Sequence, residues 1–249
     1  MTTLESALNR IALPRQEVLP LAHLSKAKRL SNIVRRGKLL TRHCDVFNDR
    51  LLYLSYGVPF YRPRNEFTEN RDKWPVGFLF DIELVKNISR FYPFDTGAMA
   101  RGLFGRRWRN EFDIDNCYTA DRPERLVSCL YTSNENYLFG RVKRRISSRI
   151  TILSWIHRFL LTDLSVKNID QRQRTIECLS NVPFDLLQSM WWIAYPTHMA
   201  PDVRLLWKRS PKKFRSYEYT ASRNSNPAYL CELIIAKARE EIQHFHKTP

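Results

Sequence analysis

The sequence predicts an α+β fold. Short apolar strands recur at uneven intervals, helical patterns cluster instead of alternating with them, and a long amphipathic helix lies near the C-terminus. Residues 1–20 read as a short helical arm ending at Pro20. A strand is expected over 18–24, followed by a basic helix. Ser25 is its expected N-cap, because a serine hydroxyl accepts from the free amides of a first turn. Ala27, Leu30, Ile33 and Val34 then lie on one helical face, with Lys26, Lys28, Arg29, Arg35 and Arg36 opposite, and Gly37 supplies a left-handed C-terminal cap. Further strands are expected at 51–56 (ending at Gly57), 75–81, 126–131 and 174–179. In the 174–179 strand Thr175 and Glu177 share one face, with Ile176 and Cys178 on the other. The last strand is 191–195, stopped by Pro196. Residues 226–246 read as a helix with Pro227 in its first turn and a stripe of Leu230, Ile234, Ala238 and Ile242.

Length and composition suit one domain over residues 1–249, with 43% hydrophobic residues to build a core. The formal charge of +16 points to an anionic partner, either nucleic acid, an anionic membrane or an acidic protein. No run approaches the about 18 apolar residues of a membrane span, so no membrane partner is expected. Glu5 and Arg10 interrupt the first apolar stretch, which is not a signal-peptide pattern. The five cysteines are scattered with no C-x-x-C pair, so neither a metal site nor a disulfide framework is indicated, and reduced thiols in a cytoplasmic protein are expected. Cations gather around Phe104 and Trp108 (Arg101, Arg106, Arg107, Arg109), over 141–149, and over 204–213. Cations interleaved with rings suit single-stranded nucleic acid, whose phosphates meet the charges while its bases stack.

There is no P-loop, G-x-G-x-x-G, H-E-x-x-H or G-x-S-x-G pattern, and the spacing of Asp81, Glu83 and Lys86 is too loose for a metal nuclease. Three blocks remain. They are Leu21-Ala-His-Leu-Ser25 before the basic helix, the run from Leu51 through Tyr53, Tyr56 and Gly57 to Tyr61-Arg62-Pro63, and Arg174-Thr-Ile-Glu177. In this order the blocks resemble the ADP-ribosyltransferase superfamily, on the branch of the DNA-targeting toxins and the tRNA 2′-phosphotransferases. The chain also resembles uncharacterised bacterial proteins that carry Tyr-Pro-Phe-Asp-Thr-Gly-Ala, here Tyr92 to Ala98. Asp95-Thr-Gly97 within it is a turn signature.

The resemblance implies a split β-sheet core with flanking helices and NAD as cofactor. It implies Glu177 as the catalytic carboxylate, since splitting NAD leaves an oxocarbenium-like ribose that a carboxylate stabilises. It implies that His23 binds a ribose hydroxyl, with backbone groups of Ala22 and Leu24 near the nicotinamide amide and Ser25 contacting ribose or capping. Tyr53 and Tyr56 lie on opposite faces of a strand. Tyr56, at the strand end, is expected to stack on nicotinamide, and Tyr53 is expected in the core. Arg62 is expected to bind pyrophosphate as a bidentate donor. The toxin branch has a catalytic arginine near the position of Gly57, and this chain has none there. Arginine-modifying transferases carry a glutamate two residues before the catalytic one. Thr175 stands there, which argues against protein arginine as acceptor.

The function implied is mono-ADP-ribosylation of RNA or DNA by a bacterial toxin or anti-phage defence effector, with an acidic antitoxin protein as a possible partner. Two alternatives stay open: a nucleic-acid-binding protein with a degenerate transferase fold, and an RNA 2′-phosphotransferase, which would need further basic residues around the phosphate.

Overall fold

Pro75–Phe80 forms a strand in which all six residues are buried. A continuous apolar run of this kind belongs to a strand covered on both faces. The structure, a computed structural model, describes all residues except 1–2, 13, 15, 60–65, 121, 147–149, 163–170 and 246–249. The chain divides into two units. One comprises residues 20–42, 50–87 and 180–249, and the other residues 1–19, 43–49 and 88–179. Strands dominate the first and helices the second, so the class is α+β, as the clustered pattern predicts.

In the sheet-rich unit the buried strand is central. Leu21–Lys26 pairs antiparallel with it along its whole length, from Leu21↔Phe80 to Lys26↔Pro75. On its other side runs Met190–Pro196, antiparallel, with a register shift between Leu79 and Phe80. Arg215–Tyr219 lies parallel to Met190–Pro196. Parallel neighbours need a crossover, and the helix Ala200–Arg209 provides it. Asp49–Tyr56 pairs antiparallel with Leu21–Lys26, in the register Leu21↔Tyr56 and Ala22↔Ser55. The helix Pro227–Phe245 packs on the central strand, where Gly77 makes room for it.

The basic helix spans Leu30–Arg36 and ends at Gly37, whose φ of 65° is left-handed and whose N–H donates to the Ile33 and Val34 carbonyls. Arg209 donates to the Val34 and Arg35 carbonyls, a cation meeting the negative end of the helix. Ser25 is not its N-cap. It lies inside the strand, opposite Val76, and a 3₁₀ turn over Ala27–Arg29 intervenes before the helix. The cause is the neighbouring strand. Pairing runs on through Lys26↔Pro75, and the Ala27 N–H donates to the Trp74 carbonyl at 2.8 Å, which holds the chain extended past the serine.

In the helical unit, Phe94, Phe104, Trp108 and Phe112 surround Phe159, with each ring centroid 5.3–5.6 Å from it. Phe104 and Trp108 are therefore core, not stacking surfaces between cations. The expected strand at 126–131 is instead part of the helix Pro123–Leu130. Its apparent alternation arose because nearly every residue there is buried, Ser128 included, so polarity carried no face information. Pro123 and Glu124 in the first turn are the helix signals that outweigh it. One antiparallel strand pair lies in this unit, Arg90–Tyr92 with Glu177–Ser180, in the register Tyr92↔Glu177. The approach to Glu177 is pinned by two buried tyrosines. The Tyr131 hydroxyl donates to the Arg174 carbonyl, and the Ile176 N–H donates to the Tyr137 hydroxyl, each at 2.9 Å.

Gly77 gives the first test. A methyl group there would stand 2.6 Å from Cγ2 of the buried Ile234. Gly77→Ala should therefore destabilise the protein by about 1–3 kcal/mol in urea unfolding. Adding Ile234→Ala, which removes the clashing carbon, should cost less than the sum of the two single changes. Strict additivity would show that the helix does not bear on this strand.

Candidate functional site

Pairing between Leu21–Lys26 and Asp49–Tyr56 is in register only at Leu21 and Ala22. Just past that register His23 reaches the neighbouring strand, with Nδ1 2.9 Å from the Tyr53 carbonyl oxygen. A carbonyl only accepts, so Nδ1 carries the proton. Burial lowers the imidazole pKa to about 4, and the charges of Arg29 and Arg42 push the same way against the Tyr53 bond. At neutral pH the ring is therefore uncharged and Nε2 is an acceptor, suited to a hydroxyl donor.

His23 lines a hollow of about 530 Å³ within the sheet-rich unit, inside the usual small-molecule range of about 300–1,000 Å³. Ser25 and Tyr53 line it too, with Arg29, Asn32, Ile33 and Arg36 from the basic helix and the turn before it. Lys38, Thr41, Arg42 and Arg50 add the remaining polar lining. Among the described residues, five cations and no carboxylate thus line one cavity. Partial burial, then the neighbouring Arg29, hold the Arg42 guanidinium below its ordinary pKa. Like charges brought together raise the free energy of the empty site, and an anion that bridges them lowers it.

The expected residues divide as follows. His23, Ser25 and Tyr53 meet at the hollow. The Leu24 side chain lies toward Gly77, while its backbone, the part expected near a ligand, runs in the strand opposite Gly77. Tyr56 is wholly buried and Tyr53 is half-buried at the hollow, the reverse of the expected division between ligand-facing and core positions. Strand parity put the two tyrosines on opposite faces, but only the neighbouring elements decide which face is covered. Arg62 and Tyr61 lie outside the described residues. The sequence reading assigned no ligand role to Arg29, Asn32, Arg36, Lys38, Arg42 and Arg50. The spacing of Arg29, Asn32, Ile33 and Arg36 was the available signal, since it is one helical face.

Glu177 lies in the helical unit and is 8% exposed. Its Oε2 accepts from the Thr96 N–H at 3.0 Å and from the Thr96 hydroxyl. Burial, then the neighbouring Asp95 carboxylate, raise its pKa well above the ordinary value, and the Thr96 donors oppose that rise. Among the described residues no group of three or more His, Cys, Asp or Glu side chains is placed to hold a metal ion, and no helix is long and apolar enough to cross a membrane.

The basic stretches are partly structural. The Lys143 ammonium donates to the Ser128 carbonyl at 2.6 Å. Arg107 and Arg158 both lie near Glu111, and both sit over the Trp108 ring. On the crossover helix Trp207 is 46% exposed and packs tilted against Phe214, ring centroids 4.8 Å apart, and Arg204, Lys208, Lys212 and Lys213 nearby in sequence are exposed. Arg149 lies outside the described residues.

No protein-family model matches the chain, and no curated protein matches it. Among solved structures it is similar to "Thermus sp. 2.9 DarT in complex with NAD+", with a TM-score of 0.43 and 11% sequence identity, over 84% of this chain and 98% of that one. A likeness this distant carries no inference about the chemistry of this chain.

Two outcomes test this geometry. An NMR titration should give His23 a midpoint near pH 4, far below the 6.5 of an unperturbed imidazole. Its folded pKa is depressed, so its contribution to stability is present above pH 6.5 and is lost as pH falls through about 4; a midpoint at 6 or above would refute the buried neutral ring. Glu177 carries the opposite sign. Its raised pKa makes its contribution complete below the ordinary 4.5 and lost as pH rises. Glu177→Gln, which keeps an acceptor for Thr96, should therefore gain on the wild type between pH 5 and 8 in urea unfolding. Glu177→Ala strands two buried donors and should lose about 1–3 kcal/mol.

Proposed function

We propose that this chain is an NAD-dependent ADP-ribosyltransferase that modifies nucleic acid, of the bacterial toxin or anti-phage defence kind. The hollow carries the reading. Five cations, a neutral imidazole and no carboxylate suit a ligand that is anionic at one end and rich in hydroxyl groups at the other, and NAD joins a pyrophosphate to two riboses. Arg29 and Arg42 would hold the pyrophosphate as charge-assisted donors. His23 Nε2 would accept from a ribose hydroxyl, and the Tyr53 ring would provide a stacking face. NAD supplies a glycosidic bond to a neutral leaving group, nicotinamide. The role of Glu177, stabilising the ribosyl cation, rests on the sequence resemblance alone. The exposed Trp207 and the lysines and arginines near it in sequence suit the acceptor strand, with phosphates on the cations and a base on the ring. An acidic antitoxin protein would cover the same surface.

One observation favours a second reading. Removal of an RNA 2′-phosphate needs basic residues around that phosphate, and the hollow holds five.

Radiolabelled NAD incubated with single-stranded DNA and RNA tests both. The first reading expects label on unphosphorylated oligonucleotide, reduced roughly a hundredfold in Glu177→Gln. The second expects loss of phosphate from 2′-phosphorylated RNA and no label on unphosphorylated strands. In calorimetry, Arg29→Gln and Arg42→Gln should each weaken NAD binding about tenfold or more. Unchanged affinity in both would remove the hollow from either account.

A further inference from the structure

The turn Tyr92-Pro-Phe-Asp-Thr-Gly-Ala98 converges on a single carboxyl group. Tyr92 stands directly across the strand pair from Glu177. Phe94 is fully buried and anchors the turn edge-on against Phe159 at 5.5 Å. Asp95 caps the helix Thr96–Ala100, its Oδ1 accepting from the Ala98 N–H at 2.6 Å, while its own N–H donates to the Arg172 carbonyl at 3.1 Å. Gly97 keeps that cap close, since a methyl group there would meet Asp95 Oδ1 at 3.3 Å. Thr96, wholly buried, then aims its amide and its hydroxyl at Glu177 Oε2. Both donors fall on one oxygen, which fixes the rotamer and leaves Oε1 outside the clamp.

We propose that Thr96 and Asp95 are positioning residues for Glu177: Thr96 holds the carboxyl in its working orientation through two donors on Oε2, and Asp95 caps the short helix that carries Thr96, so that this turn governs the conditions under which Glu177 acts. The inference rests on the catalytic role proposed for Glu177. The sign of each effect follows from charge. Donors to a carboxylate stabilise the anion, and a neighbouring carboxylate destabilises it. The other titratable groups facing Glu177 are the Cys44 thiol, the adjacent Cys178 and the Tyr92 phenol across the pair. Burial raises the pKa of the Cys178 thiol and the Tyr92 phenol, which keeps both uncharged at neutral pH, and Asp95 is the charge that bears most on Glu177.

The test is a pair of opposite shifts. Infrared difference spectra of the full chain without NAD report the carboxyl band of Glu177, assigned by its loss in Glu177→Gln. Thr96→Val, which deletes the hydroxyl, should move its titration up by about one unit, and Thr96→Ser should restore it. Asp95→Asn keeps the cap, since asparagine caps as well as aspartate, and should move the titration down by a similar amount. In ADP-ribosyl transfer the acidic limb of the kcat profile should shift in the same two directions with KM unchanged, so that Thr96→Val loses roughly tenfold in kcat on that limb. Shifts of the same sign, or no shift in either variant, overturn the inference, and Asp95→Asn decides it alone should Thr96→Val fail to fold. If the band shifts as stated but the wild type transfers nothing from NAD, the ADP-ribosyltransferase reading falls and the turn still holds the carboxyl.

Discussion

The hydrogen bond from an imidazole to a strand carbonyl sets the character of the hollow. Past the pair Ala22↔Ser55, His23 donates Nδ1–H to the Tyr53 oxygen. This bond fixes the tautomer, and it leaves an unprotonated nitrogen among cations. Burial first, then the charges of Arg29 and Arg42, disfavour a protonated ring, and a ring turned the other way would lose its acceptor.

The cations around it come from several elements. The basic helix and the turn before it, the segment from Lys38 to Arg42 and the strand residue Arg50 line one cavity, with no acid among its described lining residues. Basic residues also have local work: Arg50 donates to the Thr41 carbonyl at 3.2 Å, Arg209 to the carbonyl end of the basic helix and Lys143 to the Ser128 carbonyl. Glu177 follows another logic. It is a carboxyl removed from water, held by two donors and crowded by a second acid, so its protonation is a property of its surroundings.

Much of the fold was legible where the local signal is chemical. Gly37 ends its helix in the left-handed conformation that glycine allows, Pro227 opens the last helix, and Asp95 caps as an Asp-Thr-Gly turn suggests. The strand at 75–80 was readable because it is apolar throughout. The 126–131 segment misled because burial on all sides erases the periodicity that tells helix from strand. Ser25 misled because a capping residue is recognised by type, while the paired strand beside it kept the chain extended. Of the residues that line the hollow, His23 and Ser25 stand in a block the sequence singled out, Tyr53 was expected in the core, and Lys38, Arg42 and Arg50 were missed because their shared direction leaves no mark in their order.

The sequence by itself determined the α+β class, the buried strand at 75–80, the glycine that ends the basic helix and the proline that opens the last one, and the excess of positive charge. These follow from steric and polar preferences acting over a few neighbouring residues. Only the tertiary structure decided which carbonyl the imidazole would take, that five cations share one hollow, that Tyr56 is covered while Tyr53 is not, and that Thr96 grips Glu177 across 81 positions of chain. Electrostatic energy and burial depend on distance in space, and residues far apart in sequence acquire that distance only when the sheet and the turns have closed.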